Sequence, residues 1–429
     1  MSKDMLVRFV GAEAAVALME DRRLDEIALP RRDNAHLLGN IYLGQVENVL
    51  PGMQAAFVNI GLEKNSFLYV EDAIPTDSRR QAEERAKGAD KDRSISDLVK
   101  KGQQIIVQIF KEPSGTKGAR VTMQPSLPGR YLVLLPCGNY IAVSRRIENE
   151  EERERLKELI RADLPANMGV IIRTVAEHAD HQVLLNELRS LLKTWRRIQG
   201  WAVKSSAPSL LHSDMDLLER TIRDTNPADV DRILVADEEA YEKVCEAAGN
   251  IAPALQSKVI LEESGDLFLD YDVYSQIERA LQRKVWLKSG GYIIIDQMEA
   301  LTAIDVNTGK YVGERSLNDT VFKTNMEAVT EIARQLRLRN IGGIVIIDFI
   351  DMDNAEDKSR LLEALEQEMK KDRIRITVMG ITQLGLVELT RKKIGHDLSS
   401  ALEVECRSCA GKGRLPQIAQ VFHLAKNEK

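Results

Sequence analysis

A pair of apolar runs, each ending in an aspartate and joined by one helical stretch, constrains the fold of this chain most. The runs are L-T-A-I-D-V-N-T-G, which carries Asp305, and G-G-I-V-I-I-D-F-I-D-M, which carries Asp348; residues 318–340 between them have helical periodicity. A strand–helix–strand crossover returns parallel and right-handed in almost all known sheets, and neighbouring strands lie about 4.7–4.9 Å apart. Ligands in such sheets gather at the carboxyl ends of the strands. Asp305 and Asp348 are therefore expected to point at one spot, close enough to share a divalent cation. Oxygen ligands with no nearby His or Cys favour magnesium, or manganese as the alternative, over zinc. A lone aspartate at a strand end is generally a turn cap. Here two occupy equivalent places, and Asn307, Thr308 and Gly309 follow the first with a polar orienting group and a tight turn. The expected chemistry is metal-dependent and acts on phosphate.

At 429 residues the chain has room for about two to four domains. It is 44% hydrophobic and 29% charged, as soluble globular proteins are. Its longest apolar stretches, such as Ile344–Ile347, fall far short of the ~20 residues of a membrane span. The start, M-S-K-D-M-L-V-R, has no apolar core of signal-peptide length. A cytoplasmic protein without a membrane partner is expected. Four cysteines exclude a disulfide scaffold and fit a reducing compartment. Cys137 and Cys245 stand alone and read as small buried side chains.

Net charge is −6, which by itself argues against nucleic acid. The distribution argues the other way. Lys101, Lys111, Lys117, Arg120, Arg130, Arg145 and Arg146 face a single acid, Glu112, over residues 101–146. A basic surface on an acidic protein is what a localised polyanion site requires, although a solvated strand face has the same composition.

Residues 1–35 alternate in short runs and read as a hairpin. From His36 to Gln124 five short strands with Gly and Pro turns fit a small barrel, interrupted by a charged insertion at Thr76–Asp92. Y-L-V-L-L-P, Y-I-A-V-S and V-I-I-R-T are strands around an acidic helix near 148–163. A helix near 180–203 carries Leu184, Leu185, Leu188, Leu191, Leu192, Trp195 and Ile198 on one side, a core stripe. Residues 204–283 mix helices with the apolar segments R-I-L-V-A and D-L-F-L-D-Y. No internal repeat or low-complexity tract occurs.

Within the barrel, Phe57 and Phe67 sit among small apolar neighbours, and Lys117 lies in the glycine-flanked G-T-K-G turn. Rings on an open barrel face stack bases, and such a lysine approaches a phosphate backbone closely; core packing is the competing reading for both rings. Arg173 and Thr174 end the V-I-I-R-T strand, and a guanidinium beside a hydroxyl can clamp a terminal phosphate. C-R-S-C at 406–409 is half of a zinc knuckle, since a structural zinc takes four ligands. A second copy of the chain completes the set across a two-fold axis; a redox pair or an unmetallated loop is the alternative.

These motifs, together with G-N-I-Y-L-G-Q-V, P-G-M-Q-A-A-F-V-N-I-G, V-S-R-R-I-E, L-K-S-G-G-Y-I-I-I-D-Q-M-E-A and A-R-Q-L-R-L-R-N-I-G-G, resemble the ribonuclease E/G family, in family order and over nearly the whole chain. P-G-M-Q-A-A-F-V-N-I-G-L and G-T-K-G-A-R look closer to its ribonuclease G branch. The resemblance implies an endoribonuclease for single-stranded RNA that prefers a 5′-monophosphate end and leaves 5′-phosphate and 3′-hydroxyl products, in 16S rRNA 5′ maturation and mRNA decay. It matches Asp305 and Asp348 to magnesium ligands, Asn307 to an orienting residue, and Phe57, Phe67 and Lys117 to RNA contacts. Gly129, Val133, Arg173 and Thr174 match the 5′-phosphate pocket, and Cys406 and Cys409 a zinc shared between two chains of a homodimer.

The implied fold is an α/β (α+β) composite. Its parts are a split ribonuclease H-like part (1–35 and 221–283), an OB-type barrel (36–124), a 5′-sensing part (125–220), a DNase I-like catalytic part (284–402), a zinc link (403–416) and a tail (417–429). The family's small C-terminal domain and any degradosome scaffold are expected to be absent, which leaves assembly beyond a dimer open. Two rivals stand beside this reading: a non-catalytic OB-fold RNA-binding protein, and a metal-dependent phosphatase or DNA nuclease.

Overall fold

The computed structural model describes residues 2–11, 13–30, 37–74, 94–113, 117–309, 317–404, 406–409 and 413. The charged insertion expected at Thr76–Asp92 lies outside them. Two units emerge: residues 1–8, 15–32 and 262–429 form one, and residues 9–14 and 33–261 the other.

Three consecutive strands open the chain: β1 (Lys3–Val10), β2 (Glu13–Glu20) and β3 (Arg23–Ala28). The tight turn into β3 takes Asp21 and Arg22 through positive φ. A meander thus stands where a single hairpin was expected.

The barrel is built from five strands: β4 (Ile41–Leu50), whose first residues are buried on both faces, β5 (Ala55–Asn59), β6 (Ser66–Tyr69), β7 (Gln104–Lys111) and β8 (Arg120–Thr122). Their order is β4-β5-β6-β8-β7, and β4 pairs again with β7 to close the ring. Closure leaves no free edge among these strands. Tyr42, Val46, Val58, Leu68, Val107 and Val121 fill the interior. Gly44 is required inside it, because a Cβ there would lie 2.6 Å from Val58.

A second small sheet orders β9 (Leu127–Pro128), β10 (Leu132–Leu135), β11 (Ile141–Val143) and β12 (Gly169–Ile172) as β11-β12-β10-β9. The helix Glu150–Arg161, capped by Asn149, and the helix His181–Lys204 bury Leu156, Ile160, Leu184, Leu188, Leu192, Trp195 and Ile198 in the core shared with this sheet, and Leu191 of the predicted stripe packs half-buried against it. The short strand β13 (Ser209–His212) pairs with β4 and extends the barrel wall. β14 (Arg232–Val235) and β15 (Val259–Leu261) run parallel. D-L-F-L-D-Y is a single helical turn, Leu267–Asp270, nucleated by the Asp266 cap. Cys137 and Cys245 are half-buried.

The last six strands are β16 (Lys284–Trp286), β17 (Tyr292–Gln297), β18 (Leu301–Asn307), β19 (Gly343–Asp348), β20 (Ile376–Ile381) and β21 (Val387–Arg391). They form one sheet in the order β16-β17-β18-β19-β21-β20. The helix Leu317–Leu338 carries the crossover, and β18 and β19 are parallel as the sequence predicts. Alternation then separates the faces. Ile293, Ile304, Val306, Val345 and Ile347 are buried against the helices Leu317–Leu338 and Ala355–Lys370. The opposite face presents Ile294, Ala303, Asp305, Ile346 and Asp348, all at least partly accessible. No helix among the described residues is long and apolar enough to cross a membrane.

Candidate active site

Asp305 and Asp348 are direct partners in the β18–β19 ladder and close the register of that pairing. Residues paired in register present their side chains on one face, so the crossover sets both carboxylates side by side at about one strand spacing. Both are exposed. Asn307, two residues beyond Asp305 and so on the same face, donates from Nδ2 to Asp305 Oδ2 at 2.8 Å. Two adjoining hollows of about 240 and 310 Å³ flank the carboxylates. One is floored by Ile294, Ala303 and Ile346; the other is formed by Asn307, Thr308, Ile350 and Asp351.

Asp348 titrates above the ordinary aspartate range, through partial burial first and then the negative charge of Asp305 and Asp351. Negative charge is thus crowded here, and the nearby Arg283, already paired with Asp296, offsets only part of it, which is the electrostatic setting a divalent cation relieves. Among the described residues no cluster of three or more His, Cys, Asp or Glu forms a closed ligand set. Two carboxylates and an amide suit magnesium, which keeps several waters and accepts one or two carboxylates.

The backbone beyond Asp348 is held from below. Asn325, fully buried on the crossover helix, donates to the Ile350 carbonyl at 2.8 Å and accepts from the Ile350 N–H at 3.1 Å. Sequence reasoning did not find it: an Asn inside F-K-T-N-M carries no local signal. Gly309 closes the loop after Asn307 at a φ of +61°, where a Cβ would sit 2.5 Å from the Gly290 carbonyl.

On the barrel, Phe57 and Phe67 are cross-strand partners with ring centroids 5.9 Å apart, edge to face. Both are half-buried, on the outer side of β5 and β6 rather than in the interior. Tyr69 stacks 6.4 Å beyond Phe67, and Arg120 lies over Tyr69 and Phe110 at 5.7 and 5.0 Å. These extend the row; Arg120 belongs to the basic run noted in the sequence, whereas Tyr69 and Phe110 were not anticipated. Lys117 is exposed, in a turn so close to β6 that a Cβ on Gly118 would fall 2.1 Å from the Asn65 carbonyl.

In the second small sheet, Arg173 reaches the Gly129 carbonyl at 2.8 Å and Asp224 at 2.5 Å. Thr174 shares a 2.8 Å hydroxyl contact with Ser144, and Val133 is half-buried on β10 between Pro128 and Ile171. Burial works to raise Asp224, but hydrogen bonds and charge from Arg223 and then Arg173 outweigh it, so its carboxyl stays below the usual range. Glu187 accepts from the N–H groups of Arg130, Tyr131 and Leu132 at 2.7–2.8 Å, which fixes the loop carrying Gly129. The structure therefore brings Gly129, Arg173 and Thr174 into one neighbourhood and adds Asp224 and Glu187 as its supports.

Cys406 is exposed and its thiol titrates below the ordinary cysteine value, through hydrogen bonds from the Cys409 and Ser408 backbones. Gly413 N–H donates to Cys409 Sγ at 3.3 Å. Amide groups aimed at both sulfurs suit thiolate ligands.

A closed five-strand barrel and an acidic pair on a parallel strand–helix–strand unit stand in one chain, and the chain belongs to the ribonuclease E/G family, a class of endoribonucleases, whose model matches residues 126–394. It is 43% identical to ribonuclease G of Escherichia coli strain K12 over 424 residues, 99% of this chain and 86% of the relative. Ribonuclease G of Haemophilus influenzae is 41% identical over 442 residues, covering 99% and 89%. Ribonuclease E of Synechocystis is 42% identical over 386 residues, covering 89% and 56%.

Proposed function

We propose that this endoribonuclease cleaves single-stranded RNA by magnesium-assisted hydrolysis at Asp305 and Asp348, with preference for 5′-monophosphorylated ends, in rRNA processing and mRNA decay. The observation that carries it is the in-register pairing of Asp305 with Asp348 on an open sheet face. These two carboxylates hold the cation, and Asn307 fixes the rotamer of Asp305. A divalent cation so bound supplies an acidified water and offsets charge developing on the phosphoryl oxygens. The chain's own part is to hold both carboxylates side by side, to fix the loop beyond Asp348 through Asn325, and to leave the face open to a strand. Attack at phosphorus by water leaves 5′-phosphate and 3′-hydroxyl ends.

Phe57, Phe67 and Lys117 grip bases and backbone on the barrel, while Arg173 and Thr174 clamp the terminal phosphate above Gly129 and Val133. Cys406 and Cys409 share a zinc with the same pair of a second copy, making a homodimer. The parts beneath this reading are the ribonuclease H-like, OB, sensing and DNase I-like segments, in a cytoplasmic protein.

Asp305→Asn or Asp348→Asn is expected to lower cleavage of labelled single-stranded RNA by at least 100-fold in magnesium while RNA binding stays within about threefold. Substantial turnover in either variant removes the metal assignment. Magnesium-independent binding without cutting by the unaltered protein favours the non-catalytic rival, and cutting of a DNA strand the nuclease rival.

A further inference from the structure

The face that bears the carboxylates continues to the edge of the sheet, and what stands there has no role in the reading above. Register carries the row Asp348–Asp305–Ile294–Lys284 across β19, β18, β17 and β16, and the next row is Asn307–Tyr292–Trp286. Residues two apart on a strand share a face, so Lys284, Trp286 and Tyr292 lie on the side of Asp305, opposite the core-facing row of half-buried Val285 and buried Ile293 and Val306. Their contacts agree. Lys284 Nζ stands 3.8 Å from the Trp286 ring centre and 3.6 Å from that of Tyr292, and the two rings meet edge to face at 5.5 Å.

Trp286 is 61% exposed on the edge strand β16. An indole so open is costly to leave bare and is held here by a cation and a second ring. Tyr292 is cross-strand partner to Asn307, about 5 Å away by strand geometry, and Trp286 lies one strand further, roughly 10 Å from the Asn307 position. The Gly309 turn rests on Tyr292: a Cβ there would lie 3.3 Å from the ring.

We propose that Trp286, braced by Tyr292 and Lys284, is a base-stacking subsite for a nucleotide close to the scissile phosphate, with Lys284 supplying positive charge to the adjoining backbone. The proposal rests on the ribonuclease reading of the same face. It adds a second aromatic platform to that of the barrel, one that acts at the cut itself. An edge-strand lysine and aromatic pair could also serve only to block strand-to-strand aggregation, and the test must separate the two.

Steady-state cleavage of a single-stranded RNA with one mapped cut is measured for the unaltered protein, Trp286→Ala and Trp286→Phe. The same RNAs are then made with an abasic nucleotide at each position flanking the cut. Stacking of one base on one ring corresponds to a KM increase of about 5- to 150-fold. Trp286→Ala is expected to show an increase in that range, and Trp286→Phe to regain most of it. At one abasic position the two losses are expected not to add, because the same contact is removed twice. A KM change below fivefold, or losses that add at every position, overturns the proposal. If Trp286→Ala does not fold, the abasic scan on the unaltered protein decides: no position with a fivefold loss overturns it equally. Failure of the unaltered protein to cut any RNA sinks the ribonuclease reading instead, so the two failures are told apart.

Discussion

Arg391 and Asp372 make the most stringent stability prediction, because both are almost completely shielded from water. Their side chains are 3% and 4% exposed, with Arg391 Nε donating to Asp372 Oδ2 at 2.8 Å. Arg391 Nη1 also donates to Asn340 Oδ1 and the Ile341 carbonyl at 2.9 and 3.0 Å, which pins the turn that leads into β19 and so toward Asp348. Asp372→Asn keeps the volume, and its Oδ1 can still accept from the Ile374 N–H, which lies at 2.7 Å. What it removes is the countercharge, leaving a buried guanidinium uncompensated at a cost of about 3–5 kcal/mol. Each kcal/mol moves the thermal midpoint of a unit of this size by about 2–4 °C, so a fall of roughly 6–20 °C is expected. Trp286 is the single tryptophan of the unit that contains this pair, since Trp195 and Trp201 lie in the other. Its fluorescence, in a Trp195→Phe/Trp201→Phe background, follows the relevant transition. Adding Arg391→Met to Asp372→Asn removes the stranded charge, and the double variant is expected to melt above the Asp372→Asn single variant. A shift under 3 °C for Asp372→Asn, or losses that simply add, would refute the reasoning.

Two further outcomes follow from the proposed sites. Arg173→Ala removes the guanidinium held by Gly129 and Asp224, and is expected to slow cleavage of 5′-monophosphorylated RNA at least tenfold more than 5′-hydroxylated RNA; equal slowing of both contradicts a sensing role. Cys406→Ser is expected to lose the zinc, about half an ion per chain, and to sediment as monomer. A dimer that persists without metal means that another surface holds it.

Much of this architecture is legible in the sequence for simple reasons. The short barrel strands β6 and β8 alternate between buried and half-buried residues, and the crossover helix is long enough to show its period. Asp305 and Asp348 stand out because a parallel pair puts equivalent strand ends together, and the ladder pairs them. Polar supports of the site are less visible. Glu187 lies more than fifty residues from the amides it binds, Asp224 a similar distance from Arg173, and Asn325 sits in an otherwise unremarked turn of helix. Such contacts depend on tertiary proximity, which leaves no periodic trace. β13 and β16 escape for another reason: three or four residues are too short for alternation to declare a face. Only the register with β17 shows that Lys284 and Trp286 share the side of Asp305.

The row of rings outside the closed barrel has a consequence for which transcripts are vulnerable. Phe57, Phe67 and Tyr69 offer flat surfaces that a helix with its bases paired inward cannot cover. On the proposed reading, a hairpin in a message shields itself without any inhibitor, and whatever melts that hairpin, a passing helicase or a rise in temperature, exposes the message to decay.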